Sequence, residues 1–378
     1  MNFTHLENYL DYLTYDFGVP GVDCLVTKDG EELYRYGKGI ADKDTGAKVQ
    51  PNQLFNLYSA SKPITCTAAL QLVERGKIAL NQPLYDIIPE FRNMKVMNAD
   101  GKAVPAKKPI IMRHLFSMTA GFSYNLWNDA MKEVSHRTNG AMPTVESVKA
   151  FAAEPLSFEP GTHWQYSVCH DILGAVIEIV SGMSFGDYLK QNIFEPLEMN
   201  DTGFERSDEV CSRIAPLYEL HDSGAENVFE KKPILPNYVL GPEYQSGGAG
   251  LVSSVDDYMK FIIAMYSGGV GKNGARILSR RAIDLMRTNQ LDEVALKDYC
   301  WDALTGYGYG LGVRTNIHPE KAGLSPAGEF GWSGAAGAYI HIDPENRIGL
   351  YYSQHMLNNM EHVIAPRLRN LLYAALEY

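Results

Sequence analysis

The spacing of hydrophobic residues changes from helix-like to strand-like near the start of the chain. Residues 3–17 place their apolar side chains on one face, which predicts an amphipathic helix. The following stretch, VDCLVTKDGEELYRYGKG, has two strand-like runs separated by Asp29 and Gly30. Because an Asp-Gly pair tolerates positive φ angles, these runs are expected to form a β-hairpin.

A second helix is predicted to begin close to Ser59. Pro63 lacks an amide hydrogen and therefore fits only the first turn of a helix, and Gly76 stands where a left-handed C-cap belongs. The apolar face of this helix contains Ile64, Ala68, Leu72 and Val73. Ser59 is thus expected at or near a helix N-terminus.

The remainder of the chain changes character twice. Residues 80–240 mix prolines, loops and short helical patterns, of which CHDILGAVIEIVSG is the clearest helix. A further helix is predicted in SVDDYMKFIIAMYSGG, with Ser254 as its N-cap. Strand-like runs follow in GYGYGLGVRT, GEFGWSG, GAYIHID and RIGLYYSQ, and a helix is expected to close the chain over residues 358–377.

These elements predict an α+β fold in which helices flank an antiparallel sheet and a mainly helical domain is inserted between the halves of the sheet. The sheet domain is expected to be discontinuous and to contain residues 1–78 and 245–378. Residues 79–244 are expected to form the helical domain, and the active site is expected in the cleft between the two domains.

Composition and charge narrow the possible partners. Hydrophobic residues make up 45% of the chain and charged residues 21%, which is typical of a globular protein with a full core. The formal net charge of −11 argues against nucleic acid or an anionic membrane surface as a partner, because both attract basic patches. A small-molecule substrate is expected instead.

The sequence also indicates a cytoplasmic location. The N-terminus lacks the basic and apolar regions of a secretory signal, and no uninterrupted apolar stretch reaches the roughly 20 residues of a membrane span. The five cysteines are scattered without C-x-x-C spacing, so neither a disulfide framework nor a thiolate zinc site is expected.

The first candidate for chemistry is the pair Ser59 and Lys62, in the stretch FNLYSASKPITC. Residues at this spacing share one face of a helix, so both side chains can reach the same cleft. A serine hydroxyl needs a base to become a nucleophile, but lysine has an ordinary pKa near 10.4 and is protonated at neutral pH. Burial and the positive end of a helix can lower that pKa, by about 3 units at a cost of roughly 4 kcal/mol. The alternative interpretation is a polar helix start, since S-x-x-K alone is a weak motif.

The residues around this pair decide between these interpretations. FNLYSASK resembles the nucleophile motif of the serine β-lactamase and penicillin-binding-protein superfamily. Further stretches resemble that superfamily in the same order, namely ALNQPLYDIIPEF, IIMRHLFSMTAGFSY, FEPGTHWQYSVCHDILG, FEPLEMNDTGF, SGGAGLVSSVDDYMKF and YGYGLGV. The chain is most similar to class C β-lactamases and family VIII carboxylesterases, which implies the β-lactamase/transpeptidase-like fold.

The resemblance implies two further site elements. Tyr166 matches the tyrosine of the superfamily's Tyr-x-Asn motif, which shares the proton of the nucleophile with the lysine, so Tyr166 is the expected general acid/base. Trp332, Ser333 and Gly334 stand where Lys-Thr-Gly or His-x-Gly usually lies. By analogy, the backbone N–H groups of Ser59 and Ala335 would form the oxyanion hole.

Two departures from the family pattern point to the substrate. Val168 replaces the asparagine that hydrogen-bonds the amide of the substrate's acyl side chain, and valine can neither donate nor accept. Trp332 replaces a cationic residue that helps to hold a substrate carboxylate, and it offers only a neutral N–H and an apolar face. Both changes favour a neutral, partly apolar acyl donor, with Val168, Trp332, Ser333, Gly334 and Tyr124 as the candidate substrate-binding residues.

These observations lead to the hypothesis of a serine hydrolase, specifically a carboxylesterase that acts on neutral small esters through an acyl-enzyme on Ser59. A β-lactamase, or an amide hydrolase of the D-aminopeptidase or D,D-carboxypeptidase kind, is one alternative. A non-catalytic binding or sensing protein with the same fold is another. Loops around residues 120–140 and 215–245 are expected to build the cleft walls.

No cofactor or metal is expected. His163 and His170 are spaced along a loop and a helix, and the chain contains no H-E-x-x-H pattern. His114 and His355 are interpreted as residues that satisfy local hydrogen bonds, not as the base of a catalytic triad. GWSGA lacks the last glycine of a nucleophile elbow, so Ser333 is a weak candidate nucleophile.

Overall fold

Strands from both ends of the chain meet in one sheet. The computed structural model describes residues 1–222, 227–234 and 239–377. The α-helices are α1 Thr4–Asp11, α2 Lys62–Glu74, α3 Met112–Phe116, α4 Asp129–Arg137, α5 Thr144–Lys149, α6 Cys169–Ser181, α7 Phe185–Leu189, α8 Asp208–Arg213, α9 Val255–Tyr266, α10 Arg280–Met286, α11 Glu293–Asp298, α12 Pro319–Ala322 and α13 Glu361–Glu377. Shorter 3-10 or π-type turns cover Tyr12–Asp16, Tyr58–Ser61, Leu84–Asp86, Pro89–Asn93, Ala150–Ala153, Lys190–Phe194 and Asp302–Leu304.

The strands form one large sheet and several small ones. They are β1 Val22–Lys28, β2 Glu31–Lys38, β3 Ile40–Asp42, β4 Ala47–Lys48, β5 Phe55–Asn56, β6 Lys95–Met97, β7 Ala103–Pro105, β8 Leu217–Asp222, β9 Asn227–Lys232, β10 Val252–Ser253, β11 Tyr307–Tyr309, β12 Arg314–Asn316, β13 Phe330–Gly331, β14 Tyr339–Asp343, β15 Ile348–Ser353 and β16 Met356–Leu357. The large sheet has seven strands in the order β11-β12-β13-β14-β15-β1-β2, and every neighbouring pair is antiparallel. The predicted α+β fold with an antiparallel sheet is confirmed.

Both faces of this sheet are covered by helices. Cys24 and Val26 of β1 belong to an apolar cluster that includes residues of α1 and α13. Leu25, which points to the opposite face, joins a cluster that includes Tyr258 and Ile262 of α9. Successive side chains of a strand alternate between faces, and helices cover both faces, so residues 22–27 of β1 are all buried.

Several predicted local signals are found at their expected positions. The hairpin between β1 and β2 turns at Asp29 and Gly30, with φ of 53° and 85°. Gly76 and Gly182 follow α2 and α6 with φ of 65° and 72°, as left-handed C-caps do. The hydroxyl of Ser254 accepts from the N–H of Asp257 at 3.2 Å and caps α9. The N-terminal helix differs in one respect, since α1 ends at Asp11 and continues as a wider turn.

The segment after residue 215 contains strands where the sequence predicted a loop. β8 pairs antiparallel with β9 and parallel with β16, which lies far along the chain. These strands are short and β9 is largely exposed, so they lack a clear apolar alternation. Residues 223–226 and 235–238 of the predicted cleft-wall loop lie outside the described residues.

The boundaries of the two predicted domains, at 78/79 and 244/245, stay a prediction. The strands of the large sheet lie within residues 22–38 and 307–353, and residues 79–244 contain α3 to α8 together with β6 to β9. Helices α2 and α6, one from each side of the first boundary, pack against each other in a shared apolar core.

Within the described residues, none of the individual helices has the length and apolar composition needed to cross a membrane. One pair, Cys169–Ser181 with Phe185–Phe194, meets that criterion only when taken together, and it is bent by 80°.

A buried ion cluster ties the outer strands of the large sheet together. Glu329 accepts hydrogen bonds from Arg314 Nη2 at 2.9 Å and from the Tyr307 hydroxyl at 2.6 Å, and it lies 3.1 Å from His341 Nδ1. Burial alone would raise the pKa of the Glu329 carboxyl, but the charges of His341 and Arg314 hold this pKa at about 2. The carboxylate is therefore charged wherever the protein is folded at ordinary pH.

We expect the Glu329→Gln variant to lose about 3–5 kcal/mol of unfolding free energy at pH 7, because it leaves the Arg314 charge buried without its partner. A carboxyl with a lowered folded-state pKa contributes stability above its unfolded pKa of about 4.3 and loses it as pH falls towards 2. Thermal melts should thus show a Tm difference that narrows on acidification. The exposed Glu345→Gln, which removes a surface ion pair with Arg287, is the control, and an equal effect of both variants would contradict the assignment.

Candidate active site

Ser59 lies on a tight turn that leads into α2. The turn covers Tyr58–Ser61, and Pro63 occupies the first turn of the helix that follows. Tyr58 has a φ of 48°, which is in the left-handed region that a bulky residue rarely adopts. Such backbone strain persists only where surrounding contacts hold it, and it is common at functional sites. Tyr58 is buried, whereas Ser59 is partly exposed.

The amine of Lys62 is fully buried and contacts three oxygen atoms. Lys62 Nζ lies 3.1 Å from Ser59 Oγ, 2.9 Å from the Tyr124 hydroxyl and 2.6 Å from the carbonyl oxygen of Gly248. A carbonyl can only accept, so one N–H of the amine is committed to Gly248. In the neutral form, the lone pair of the amine is then available to accept the hydroxyl proton of Ser59.

Electrostatics favour this neutral form. Burial lowers the pKa of Lys62 to about 7, against a weaker opposing effect of the Asp171 carboxylate. A substantial fraction of Lys62 is therefore unprotonated near neutral pH, which a general base requires.

Tyr166 completes the cluster from the segment just before α6. Its hydroxyl is hydrogen-bonded to Ser59 and accepts from Trp332 Nε1 at 3.3 Å. The amine of Lys62 lies 4.6 Å from the centre of the Tyr166 ring. Burial raises the pKa of the phenol above its ordinary value. Tyr166 therefore remains protonated while Lys62 titrates, and the cluster contains one base and one acid.

The third predicted element follows β13. Trp332 packs against Tyr166, with ring centres 5.8 Å apart. The next residue points elsewhere, since Ser333 Oγ donates to the carboxyl of Glu361 at 2.5 Å. A direct contact of the Ser333 side chain with substrate, as the sequence predicted, is not supported by this placement.

Gly334 allows the chain after Trp332 to approach the nucleophile turn. A Cβ atom built on Gly334 would lie 2.2 Å from the carbonyl oxygen of Leu57, so only glycine fits. Ala335 and Ala336 pack with Tyr58 in a small apolar cluster. The segments that carry the two predicted oxyanion-hole N–H groups are thus adjacent, and the role of those groups stays a prediction.

Two other predicted substrate contacts require correction or refinement. Val168 is 1% exposed and begins α6, so it packs in the core and its predicted contact with substrate is not supported. Tyr124 is partly exposed, and its hydroxyl is hydrogen-bonded to the amine of Lys62 at 2.9 Å. Tyr124 therefore belongs to the same cluster as Ser59 and Lys62.

Several residues of the site escaped the sequence analysis. The carbonyl of Gly248 and the carboxylate of Asp171 lie beside Lys62, although both belong to stretches that the family resemblance already included. Trp301 is 44% exposed, and its ring centre lies 5.2 Å from Tyr166 and 6.2 Å from Trp332. The exposed Trp301 and its neighbour Trp332 form an apolar, aromatic rim beside Tyr166.

The histidines that the sequence set aside lie in local hydrogen-bond networks. His114 Nδ1 receives the N–H of Ile111, and His355 contacts the carbonyl of Pro216. Burial lowers the pKa of both imidazoles to about 4. His163 contacts Asp298 and His170 contacts the carbonyl of Phe116.

One group of side chains in the described part of the chain has metal-like spacing. It consists of Glu219, His221 and Glu230, near the surface of the β8–β9 hairpin. Lys232 Nζ lies 2.8 Å from Glu219 and 3.0 Å from Glu230, so one ammonium already pairs with both acids and offsets part of their charge. Their proximity is explained by ion pairing.

Comparisons with known proteins agree with this architecture. A family model described as Beta-lactamase matches residues 6–374. Esterase EstB of Burkholderia gladioli is 30% identical, with 98% of this chain and 94% of EstB aligned. Protein Rv1367c of Mycobacterium tuberculosis is also 30% identical, over 84% of this chain and 81% of its own length. The solved structure of EstCE1, described as a hydrolase with promiscuous acyltransferase activity, has a TM-score of 0.79 and 26% identity over 98% of both chains.

The fold and the cluster of serine, lysine and tyrosine define a serine hydrolase of the β-lactamase and penicillin-binding-protein type. The chain belongs to the Beta-lactamase family.

The titration of Lys62 gives a first prediction. Covalent labelling of Ser59 by a fluorophosphonate should accelerate as pH rises through about 7, because the amine must lose its proton before it can accept that of Ser59. The labelling rate is measured by intact-mass spectrometry, with the volume-conserving Lys62→Met as the control that should stay unlabelled. A rise only near the ordinary lysine pKa of about 10.4 would show that burial does not tune the amine.

Gly334 gives a second prediction. The Gly334→Ala variant should label Ser59 roughly 100-fold more slowly, because the added Cβ displaces the segment that carries the Ala335 N–H. Gly37→Ala is the matched control, since its nearest neighbour would be 3.8 Å away. An unchanged rate in Gly334→Ala, with a Tm equal to that of the wild type, would remove the predicted oxyanion hole.

Proposed function

We propose that this protein is a carboxylesterase that hydrolyses neutral small esters through an acyl-enzyme on Ser59. The single observation that carries this proposal is the buried amine of Lys62, held 3.1 Å from Ser59 Oγ with a lowered pKa. A base placed in this way turns a weakly nucleophilic hydroxyl into an attacking group.

In the first half-reaction, Ser59 Oγ bonds to the ester carbonyl carbon and its proton passes to the amine of Lys62. The charge that develops on the carbonyl oxygen is stabilised by the N–H groups of Ser59 and Ala335. As the bond to the alcohol breaks, the Lys62–Tyr166 pair delivers one proton to the leaving alkoxide. Tyr166 suits this delivery, because its phenol is protonated and bonded to Ser59.

In the second half-reaction, water attacks the acyl carbon and gives its proton to the same pair. The bond between the acyl group and Ser59 Oγ breaks, and the pair returns a proton to Ser59. The carboxylic acid leaves, and the protonation states of Lys62 and Tyr166 are restored. The Lys62–Tyr166 pair thus removes a proton from the attacking group and gives one to the leaving group in both half-reactions.

The surroundings of the third motif support a neutral substrate. Trp332 offers an indole where related enzymes have a cation, and its N–H is already bonded to Tyr166. The ionisable group in contact with Ser333 is the acid Glu361. A substrate carboxylate would meet an apolar ring in place of a cation here, so an ester without charge is favoured.

The named relatives support ester chemistry as well. EstB is described as an esterase, and EstCE1 as a hydrolase with promiscuous acyltransferase activity. Both align with nearly the whole length of this chain.

The proposal is tested with purified protein on p-nitrophenyl acetate and butyrate beside the cephalosporin nitrocefin. Ester hydrolysis should be much faster than cephalosporin opening, and it should be abolished in Ser59→Ala. Tyr166→Phe should lower kcat by roughly 100- to 10,000-fold, the range expected for loss of a general acid/base. Rapid nitrocefin opening with slow ester hydrolysis would assign the protein to the β-lactamases. A fluorophosphonate that leaves the protein mass unchanged would favour a non-catalytic binding protein.

The aromatic rim gives a prediction about specificity. Trp301→Ala should raise KM for phenyl-bearing esters by roughly 2- to 12-fold, as expected for loss of one aromatic contact, with little change for acetate esters. Tyr12→Ala is the control, because Tyr12 is an exposed aromatic residue that packs with Tyr9 and Phe17 instead of with the site. An equal change in KM for acetate and phenyl-bearing esters would show that Trp301 does not contact the substrate's apolar part.

A further inference from the structure

A buried acid is linked to the amine of Lys62 through the backbone of Gly248. Asp171, on the first turn of α6, is 3% exposed. Its Oδ1 accepts from the Tyr244 hydroxyl at 3.0 Å and from Ser246 Oγ at 2.6 Å. The backbone of Gly248 also hydrogen-bonds to this carboxyl group. All of these partners can donate, as an ionised carboxylate requires.

The segment of residues 244–249 connects this acid to the amine. Gly248 donates its N–H to Asp171, and its carbonyl oxygen accepts from Lys62 Nζ at 2.6 Å. Ser246 Oγ also accepts from the N–H of Ala249 at 3.0 Å, which fixes the turn on its far side. A Cβ atom on Gly248 would lie 2.5 Å from Asp171 Oδ2, so the acid and the backbone are in close contact.

We propose that Asp171 is a positioning residue that holds the Gly248 carbonyl, and through it the amine of Lys62, in place to take the proton of Ser59. This inference rests on the roles of Ser59 and Lys62 in the proposed function. It adds a second consequence: the charge of Asp171 raises the pH at which the amine becomes a base, against the larger effect of burial.

The other titratable groups around Lys62 are neutral near pH 7. The thiols of Cys66 and Cys169 are buried, which raises the pKa of both, that of Cys169 to about 12. Burial also raises the pKa of the Tyr166 phenol and lowers that of the His170 imidazole to about 3. Tyr124 contributes a hydroxyl. Burial raises the pKa of the Asp171 carboxyl itself, but the hydrogen bond from Ser246 and the charge of Lys62 oppose that rise. The negative charge of Asp171 in turn favours the ammonium form of Lys62.

The sign of the effect follows from these charges. Burial depresses the pKa of Lys62 and Asp171 opposes that depression. The Asp171→Asn variant lacks the negative charge that raises the pKa of Lys62, so its amine should lose its proton at lower pH. The pH midpoint of Ser59 labelling by a fluorophosphonate should move down by about one unit, since a nearby unpaired charge commonly shifts a pKa by that much. The plateau rate at high pH should also fall, because an amide cannot accept from all three donors as the carboxylate does.

The experiment measures the labelling rate of Ser59 against pH in wild type and Asp171→Asn, with Tm recorded for each. Asp257→Asn is the matched control. Asp257 is buried to a similar extent, but it lies at the start of α9 and accepts a hydrogen bond from the N–H of Asp201. The control should lose stability and keep the midpoint. A folded Asp171→Asn with the wild-type midpoint and plateau overturns the inference.

Ser246→Ala decides the question if Asp171→Asn fails to fold. This variant keeps the charge but removes one donor and the acceptor of the Ala249 N–H, so the plateau labelling rate should fall by roughly 3- to 10-fold through misplacement of the carbonyl. An unchanged plateau overturns the inference. Failure of the proposed function is distinguishable in both of its forms. A non-catalytic protein would leave wild-type Ser59 unlabelled at every pH, and a β-lactamase would label Ser59 but open nitrocefin faster than it hydrolyses esters.

Discussion

The structure depends on keeping one amine out of water. A buried ammonium is costly, and a buried amine without partners is costly too. Lys62 avoids both penalties because its nitrogen contacts a hydroxyl, a phenol and a carbonyl from three separate segments of the chain. The same burial lowers the pKa of the amine to about 7. The contacts that offset the cost of burying the amine are thus also the contacts that position it as a base.

The surrounding elements hold those segments. Helices α2 and α6 pack side by side, so the start of α2 with Lys62 lies beside the start of α6 with Tyr166 and Asp171. The large sheet brings Trp332 onto Tyr166 through β13. The buried hydrogen bond of Arg314 with Glu329 joins β12 to the residue that precedes β13. Strain at Tyr58 is sustained by this packing, which leaves the hydroxyl of Ser59 at the exposed end of the cluster.

The sequence predicts the parts of this arrangement that are local. The spacing of Ser59 and Lys62, the first-turn proline and the cap at Gly76 all follow from helix geometry and are found in the structure. Tyr166 could be proposed only through family resemblance, because one tyrosine among many carries no local signal. The contacts of Gly248, Tyr124 and Trp301 join segments far apart in the chain, and neither periodicity nor capping rules contain that information.

The same limit applies to Ser333 and Val168, which the family motifs place at the substrate. Position in a motif does not specify which face of a strand or helix a side chain takes. Ser333 follows a residue that faces the cleft, and strand alternation turns its hydroxyl towards Glu361. Val168 stands at the start of α6, where its side chain enters the core. Only the tertiary structure decides these orientations.

Val168 lacks the amide of the family motif, and a tyrosine from another segment supplies a polar contact to Lys62. The family resemblance implies an asparagine at this position, whereas valine carries no polar group that could contact the amine of Lys62. The Tyr124 hydroxyl, from a different segment, contacts that amine at 2.9 Å. The amine therefore keeps a polar neighbour without an amide in the second motif. Loss of the motif amide and retention of the base are therefore compatible.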